Sequence, residues 1–370
     1  VDTALAKGDQ GGTLRGLPFS VKDLTNTAGV QTTSGSALLA DNVPAMDAVP
    51  VARARAAGAI MIGKTTTPEF GHKPFTEGPF FGRTLNPWDE NVTCGGSSGG
   101  AAVAVAAGMG PLALGTDGGG SIRIPASCCG VVGFKATLGA IPNLQAADLF
   151  GANSYVGPMA RTVADTRLLF EAIRGPDLRD PFGQTMTAVR RMDTAPIRIG
   201  WLASCGNVLD PEVGHLTETA VALASDLGMS VEPIEIDFVG LEDAFLVILR
   251  STLLSRLGKA ASSRPDLFDP KLLATLDAGR AYSAADLVAA QAMRTDYFSR
   301  VQEIFRQVDI IASPTLSAPP LPVNTDPLGR IEIAGVEAGT IRGAWYPYTY
   351  PYNLTGHPAI SIPCGMTRAG

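Results

Sequence analysis

The sequence predicts an α/β protein in which helices cover both faces of a central sheet. Between residues 14 and 175, short apolar segments punctuated by glycine recur along the chain, namely LPFSV, AIMIG, PLALG and VVGF. Continuous apolar runs of this length are typical of strands that are buried on both faces. Residues 48–58, AVPVARARAAG, fit a helix between two of these strands. Such alternation favours a sheet that is sandwiched between helices.

Beyond residue 175 the sequence predicts further strands and a mainly helical elaboration over about 205–307. The strand candidates are IRIGWL, MSVEPIEI, VDIIASPT and PAISIPCG. We expect the last two, which lie within 308–365, to be buried closing strands. The pattern therefore predicts one domain over residues 1–370, with its core in about 14–175, rather than two independent domains.

Two helix starts in the elaboration are marked by their capping residues. Asp210 has the residue type of an N-cap, and Pro211 follows at the first helical position, where a missing N–H costs nothing. Ser283 and Asp286 have the spacing of a capping box ahead of a long helix.

Composition excludes several kinds of partner. The chain carries 29 basic and 35 acidic residues, a net charge of −6, and no basic tract, which argues against direct contact with nucleic acid. The weakly polar run at 99–115 is too short and too rich in glycine to span a membrane, and the opening residues lack the apolar core of a signal peptide. Five irregularly spaced cysteines favour a reducing compartment, so we expect a cytoplasmic location.

The sequence offers no usual partner for a catalytic serine and no metal motif. A Ser-His-Asp triad needs a histidine, and we expect His72, His215 and His357 to be structural or solvated. No CxxC or HExxH motif is present, and GTDGGGS lacks the lysine of a phosphate-binding loop. We therefore expect no cofactor and no metal.

A lysine is the base that remains for a serine nucleophile. Ser121 follows three glycines in GTDGGGSIRIPA, while Lys22 and Lys64 each end an apolar run. Both lysines are predicted to lie at the carboxyl ends of strands, where open α/β sheets build their sites. Spacing and polarity alone do not choose between them.

Several motifs together resemble those of the amidase signature hydrolases. They are GGSSGG followed by GTDGGGSIRIPASCCGVVGFK, with LPFSVKDL, GKTTTPEFG, LNPWDE, GPMARTVAD and YNLTGHPAISIP. The resemblance covers nearly all of 14–365 and implies the amidase-signature fold, with a central mixed sheet. It also implies a Ser–Ser–Lys triad in which Lys22 is the base, Ser97 is a bridging serine after a cis peptide bond, and Ser121 is the nucleophile.

The resemblance further implies how the nucleophile is supported. The oxyanion hole is expected at Gly118, Gly119, Gly120 and Ser121, where small residues let backbone N–H groups converge. Asp117 and Arg123 match positions that brace this loop, and Ser98 matches a further serine of the motif. The family usually has a bulkier residue where Gly118 stands.

A lysine can act as a base near neutral pH only if its pKa is lowered. The ordinary value is about 10.4, so roughly three units must be lost, equivalent to about 4 kcal/mol. Burial without a carboxylate partner supplies such a shift. Alternation along a strand directs Asp23 away from Lys22, which permits this burial.

The substrate is less well specified. Trp345, Tyr346, Tyr348 and Tyr350 lie close together in WYPYTYPYN, which predicts either an aromatic wall for the acyl group or a packed surface loop. The leading hypothesis is a stand-alone amidase acting on a small aryl or alkyl amide. The alternatives are the A subunit of a tRNA-dependent amidotransferase and an inactive scaffold.

The expected partner is a small-molecule amide, without nucleic acid or membrane, and a homodimer remains open. Because the family continues beyond both VDTALAKGD and Gly370, we also expect a chain truncated at both ends.

Overall fold

A computed structural model describes residues 12–146, 148–151, 153–183 and 196–368. Its chain divides into two units. Unit 1 consists of the described residues of Val1–Met186 together with Asp266–Asp269 and Gly356–Pro363, and unit 2 contains the rest. The single-domain organisation stays a prediction, and the opening segment VDTALAKGD lies outside the described residues.

Unit 1 contains a six-stranded mixed sheet. In spatial order its strands are β13 Ala359–Ser361, β6 Val132–Lys135, β7 Tyr155–Ala160, β5 Leu112–Asp117, β1 Pro18–Lys22 and β2 Ile60–Thr65. Strand β1 is parallel to both β2 and β5, whereas the β5–β7, β6–β7 and β6–β13 pairs are antiparallel. The predicted α/β class with a mixed central sheet is confirmed. A separate hairpin is formed by β3 Glu77–Gly78 and β4 Gly82–Arg83.

The helices of unit 1 are short, and two of them contribute to its main apolar core. They are α1 Val49–Ala56, α2 Gly99–Ala106, α3 Arg123–Cys129 and α4 Val163–Ile173. Val51 of α1 and Leu169 of α4 are fully buried in the same cluster as Phe19 and Val21 of β1. Because side chains alternate along a strand, Lys22 belongs to the opposite face of β1 from this cluster.

Unit 2 contains a three-stranded parallel sheet, a hairpin and six helices among its described residues. The predicted capping at Asp210 and at Ser283 is confirmed, since each side chain accepts a backbone N–H of the first turn. The elements are β8 Arg198–Trp201, β9 Ser230–Pro233, β10 Ile310–Ala312, β11 Arg330–Ile333, β12 Val336–Thr340, α5 Pro211–Asp226, α6 Leu241–Ser263, α7 Pro270–Gly279, α8 Ala284–Ile304, α9 Ile341–Trp345 and α10 Pro351–Thr355.

The expectation that the two closing strands are buried was wrong. Ile310 of β10 and Ile360 of β13 are 43% and 42% exposed. Both strands lie at the edge of their sheets, where fewer neighbours cover the side chains. In the described part of the chain, no helix is both long enough and apolar enough to cross a membrane.

Candidate active site

Lys22 ends β1 and is completely buried. Its Nζ atom lies 2.7 Å from Ser97 Oγ, 2.9 Å from Ser98 Oγ and 2.9 Å from Thr116 Oγ1. Three hydroxyl groups thus surround the amine. The sequence analysis did not predict Thr116 as a site residue. It stands directly before Asp117 at the end of β5, beside the strand that carries Lys22, and this strand-end position is the signal that could have identified it.

Burial lowers the pKa of Lys22 well below its usual range, and the more weakly acting negative charge of Asp117 opposes this shift. Asp23 is occupied elsewhere: its carboxylate accepts the backbone N–H of Thr33 at 2.9 Å and lies 3.5 Å from Lys64 Nζ. Asp23 lies just beyond the end of β1, where its carboxylate contacts Thr33 and Lys64. The amine of Lys22 is therefore buried among hydroxyl groups rather than beside a carboxylate.

Lys64 occupies the corresponding end of β2 in a different environment. Its Nζ atom donates to Thr25 O at 2.7 Å and to Thr32 Oγ1 at 2.8 Å, besides lying near Asp23. Burial lowers its pKa to about 8, and the charge of Asp23 works against that shift. These contacts tie Lys64 to the turn after β1.

Ser97 and Ser98 precede α2 and lie next to the loop that carries Ser121. The Gly96–Ser97 peptide bond is cis, as the resemblance implied. The backbone N–H of Ser98 donates to the carbonyl of Ser121 at 3.0 Å. The Ser98 side chain donates to Thr116 O at 2.9 Å and accepts the Thr116 N–H at 3.1 Å. These bonds connect the serine segment to the end of β5.

Asp117 and Arg123 are brought together around the loop of Ser121. Arg123 Nε and Nη2 donate to the two oxygens of the buried Asp117 carboxylate at 2.9 and 3.0 Å. The same carboxylate accepts the N–H of Gly120 at 2.7 Å and that of Ile122 at 3.2 Å. Because a bidentate ion pair and two amide donors fix one carboxylate, the backbone on both sides of Ser121 is held in place.

The residue after Ser121 packs on three glycines of adjacent strands. A Cβ at Gly115, Gly133 or Gly157 would lie 3.0, 2.7 or 2.8 Å from side-chain atoms of Ile122. Such distances leave no space for a side chain on β5, β6 or β7 at this point. The start of α3 therefore lies directly on the sheet, and this close approach sets the depth of Ser121.

The predicted oxyanion segment leads into the half-buried Ser121. Gly120 has φ of +124°, which favours glycine, and its N–H donates to the Asp117 carboxylate. A Cβ at Gly118 would meet no atom within 4 Å, so the absence of a side chain there leaves open space. The oxyanion role of these residues and of Gly119 stays a prediction.

The predicted aromatic residues belong to unit 2 and are all buried there. Trp345 Nε1 donates to Ala318 O at 3.1 Å, and Tyr348 Oη donates to Ala203 O at 3.1 Å. Tyr346 and Tyr350 are 2% and 3% exposed. A surface loop is thus the wrong description of this segment, because its rings are covered. Its role as a substrate wall stays a prediction.

The described hydrogen-bond partners of Lys22 Nζ include neither a histidine nor a cysteine. His72 Nδ1 lies 2.7 Å from Glu69 O, and burial lowers the pKa of this histidine to about 4. His215 is exposed, as predicted. Burial raises the pKa of the Cys128 and Cys129 thiols, which indicates unreactive core residues. Among the described residues, no three potential ligands form a group that could hold a metal ion.

The family model called Amidase matches residues 1–370, the whole chain. The chain belongs to the amidase family. It is an enzyme that hydrolyses amide bonds, which confirms the reaction class expected from the motifs.

This amidase is similar to several named proteins and solved structures. An acylamidase of Rhodococcus erythropolis is 35% identical over 98% of this chain and 77% of its own length. The A subunit of glutamyl-tRNA(Gln) amidotransferase from Thermus thermophilus is 35% identical over 97% of this chain and 80% of its own. The crystal structure of a bacterial aryl acylamidase matches with a TM-score of 0.88 and 28% identity, covering 99% of this amidase and 79% of that chain.

Proposed function

We propose that this amidase works through an ester between the acyl group of its substrate and Ser121, with Ser97 and Lys22 as the proton relay. The observation that carries the proposal is the 2.7 Å contact between Lys22 Nζ and Ser97 Oγ at a fully buried lysine. Burial favours the neutral amine, which is the form that accepts a proton.

The hydrogen bonds of Ser98 support a definite orientation of that amine. The single hydroxyl proton of Ser98 goes to Thr116 O, so Ser98 Oγ accepts from Lys22. A neutral amine has two N–H groups and one lone pair. With the N–H groups directed to Ser98 Oγ and Thr116 Oγ1, the lone pair is left for the hydroxyl of Ser97. Ser98 and Thr116 are thereby positioning residues for the base.

In acylation, Ser121 Oγ attacks the carbonyl carbon of the amide. Its proton passes to Ser97 Oγ while the proton of Ser97 passes to Lys22 Nζ. Charge develops on the carbonyl oxygen, and the amides of Gly118, Gly119, Gly120 and Ser121 are the proposed donors to it. Of these, the Gly120 N–H donates to Asp117 in the structure. Gly120 can donate to the carbonyl oxygen of the substrate only if this hydrogen bond opens or becomes bifurcated.

The tetrahedral intermediate then collapses and the carbon–nitrogen bond breaks. The relay runs in reverse: Lys22 returns a proton to Ser97, and Ser97 delivers one to the leaving nitrogen, which departs as ammonia or an amine. Water next attacks the Ser121 ester and loses a proton to the same relay. Breakdown of the second intermediate returns that proton to Ser121 Oγ and releases a carboxylic acid, which ionises at neutral pH.

The proposed substrate is a small aryl or alkyl amide, cleaved by the enzyme alone. Similarity to an acylamidase of Rhodococcus erythropolis and to a bacterial aryl acylamidase supports this class. The second candidate is release of ammonia from glutamine as one component of a tRNA-dependent amidotransferase. Similarity to the Thermus thermophilus amidotransferase protein favours it, at the same identity as the acylamidase. Aryl anilides, alkyl amides and glutamine, tested with detection of the released amine or ammonia, separate the two.

The triad is tested by removing its members one at a time. Ser121→Ala is expected to abolish hydrolysis and labelling by a fluorophosphonate, which forms an ester with an activated serine. Ser97→Ala and Lys22→Ala are expected to lower kcat by at least about a hundredfold, the typical contribution of general base catalysis. Lys64→Met is the matched control at the neighbouring strand end and should retain labelling. Normal turnover by Lys22→Ala would overturn the proposed base.

A further inference from the structure

A tight turn at residues 69–73 borders the hydroxyl of Ser97. A Cβ built on Gly71 would lie 3.0 Å from Ser97 Oγ and 2.8 Å from Leu24 Cδ1. Gly71 has φ of +69°, which glycine adopts readily. The main chain of this turn therefore closes one side of the space in which the Ser97 hydroxyl sits, and the amine of Lys22 lies 2.7 Å from the same hydroxyl.

Asp269 is bonded to both ends of this turn, although it lies far away in the sequence. Its backbone N–H donates to the Glu69 carboxylate at 2.5 Å, and its own carboxylate accepts Lys73 Nζ at 2.8 Å. Asp269 belongs to the same unit as the turn. Both side chains of the Lys73–Asp269 pair are only 4% exposed, so solvent screens their interaction weakly.

The turn has a backbone conformation that its surroundings must hold in place. Phe70, next to Gly71, has φ of +49° and ψ of 18°, the left-handed region that a bulky residue seldom occupies. Its N–H donates to the carbonyl of Ser34 at 2.8 Å, and the hydroxyl of Ser36 donates to the Glu69 carboxylate. Such conformations persist where neighbouring contacts over-determine them, and they concentrate at functional sites.

We infer that Asp269 is a positioning residue for amide hydrolysis: through Glu69 and Lys73 it holds the turn at Gly71 against Ser97, and so keeps the Ser97 hydroxyl directed at Lys22. The inference rests on the proposed relay, to which it adds a residue 148 positions beyond the nucleophile Ser121. If the Asp269 carboxylate is removed, the turn is released at the Lys73 side chain and, through relaxation of the segment, at the Glu69 carboxylate. The Ser97 side chain then gains room to rotate away from the amine.

The test compares Asp269→Ala, Asp269→Asn and Lys73→Met with an exposed control. Asp277→Ala is the matched control, because Asp277 forms a 3.2 Å pair with Arg280 at the end of helix α7 but is 74% exposed. We expect Asp269→Ala and Lys73→Met to lower kcat by about ten- to a hundredfold, the scale of a misplaced reacting group, with KM changed less than about twofold. The rate of fluorophosphonate labelling should fall in parallel, because it reports the reactivity of Ser121. Asp269→Asn, which keeps an oxygen for Lys73, should retain more activity than Asp269→Ala.

All variants are assayed below the melting temperature that circular dichroism gives for each, so that unfolding does not imitate the effect. If Asp269→Ala does not fold, the comparison of Asp269→Asn with the control decides. A folded variant whose kcat and labelling rate match those of Asp277→Ala would overturn the inference, as would a rise in KM at unchanged kcat. If Ser121→Ala still hydrolyses amides, the relay itself fails, and that result is separate from any result at Asp269.

Discussion

At the residue scale, the two strand-end lysines differ in what surrounds the amine. Lys22 contacts three hydroxyl groups, whereas Lys64 lies near the carboxylate of Asp23 and donates to a backbone carbonyl. A carboxylate stabilises the charged form of a lysine, and hydroxyl groups compensate a buried charge far less. Burial therefore favours the neutral amine at Lys22, whereas the charge of Asp23 favours the protonated form of Lys64.

The pH dependence of turnover follows from the lowered pKa of Lys22. Only the neutral amine accepts the proton, so kcat/KM should rise with pH through an ionisation well below that of an ordinary lysine and then level off. The measurement is a pH–rate profile with an amide whose own ionisation lies outside the range. A rate that still climbs steeply up to about pH 10.4 would mean a lysine with an ordinary pKa.

Orientation of the amine can be tested at Thr116. Thr116→Val removes one acceptor of Lys22 while keeping the shape of the side chain, so the lone pair is less firmly directed at Ser97. We expect kcat to fall by about tenfold, equivalent to about 1.4 kcal/mol, with little change in KM. Steady-state kinetics give both constants.

Thr65→Val is the matched control for this prediction. Thr65 pairs in register with Lys22 on the neighbouring strand, and its Oγ1 has no hydrogen-bond partner in the described structure. Its replacement should leave kcat within about twofold. Equal losses in the two variants would show that the Thr116 hydroxyl has no special role.

At the element scale, α3 is held on the sheet by the absence of side chains below it. Ile122 rests on Gly115, Gly133 and Gly157, which belong to three adjacent strands. Helix α3 has only seven residues, so its placement depends on packing rather than on helix propensity. The contact links the sheet to the loop that carries Ser121, the proposed nucleophile.

Filling this contact should displace Ser121. In Gly133→Ala the new methyl group would lie 2.7 Å from Ile122 Cγ2 and 2.8 Å from Ala126 Cβ, so α3 must shift. We expect a loss of about 1–3 kcal/mol in the free energy of unfolding, typical of overpacking, and a lower kcat. Denaturant unfolding and steady-state kinetics measure the two effects.

Gly63→Ala provides the comparison, since a Cβ on that strand residue would meet nothing within 4 Å. This variant should retain wild-type kcat and nearly wild-type stability. If Gly133→Ala behaves in the same way, the glycine contact does not position the nucleophile.

At the scale of the whole molecule, burying lysines reduces stability at neutral pH. Burial lowers the pKa of both Lys22 and Lys135 well below the usual range. Lys135 Nζ is held by the carbonyls of Ala136 and His357 and lies 3.9 Å from the ring centre of Tyr155. In the unfolded chain each lysine is protonated up to about pH 10.4. Between the lowered pKa values of the folded state and about pH 10.4, unfolding therefore takes up protons at these two lysines, and their contribution makes the free energy of unfolding rise with pH.

The contribution of Lys22 can be isolated by comparison with Lys22→Met. Between the lowered pKa of the folded state and about pH 10.4, the free energy of unfolding of the wild type relative to the variant should increase by about 1.4 kcal/mol per pH unit, because unfolding takes up one proton at Lys22. Above that window the difference should be constant. Urea unfolding at several pH values measures it, and Lys135 cancels because both proteins contain it. A difference that does not change with pH would mean that Lys22 keeps its proton when folded.

The sequence by itself determined the fold class, the reaction class and several local features. Apolar runs punctuated by glycine identified β1, β2, β5 and β6. A continuous apolar stretch fits the largely buried β1, β5 and β6. The burial expected for β2 was wrong, because β2 is an edge strand on which Ile60 and Ile62 are 45% and 50% exposed. The caps at Asp210 and Ser283 were predictable since capping depends on residues within a few positions of each other. The combination of motifs sufficed for the amide-hydrolysing family.

Only the tertiary structure decided which distant groups meet. That β10 and β13 are exposed edges follows from strand order, which local patterns do not contain. The contacts of Thr116 and of Gly71 with the relay, and the bonds of Asp269 to Glu69 and Lys73, join residues between 26 and 200 positions apart. The family motifs implied Lys22 as the base, but the difference in environment between Lys22 and Lys64 depends on which amine has a carboxylate within about 4 Å. Burial and electrostatic environment are properties of packed neighbours in space, and a sequence pattern records only neighbours along the chain.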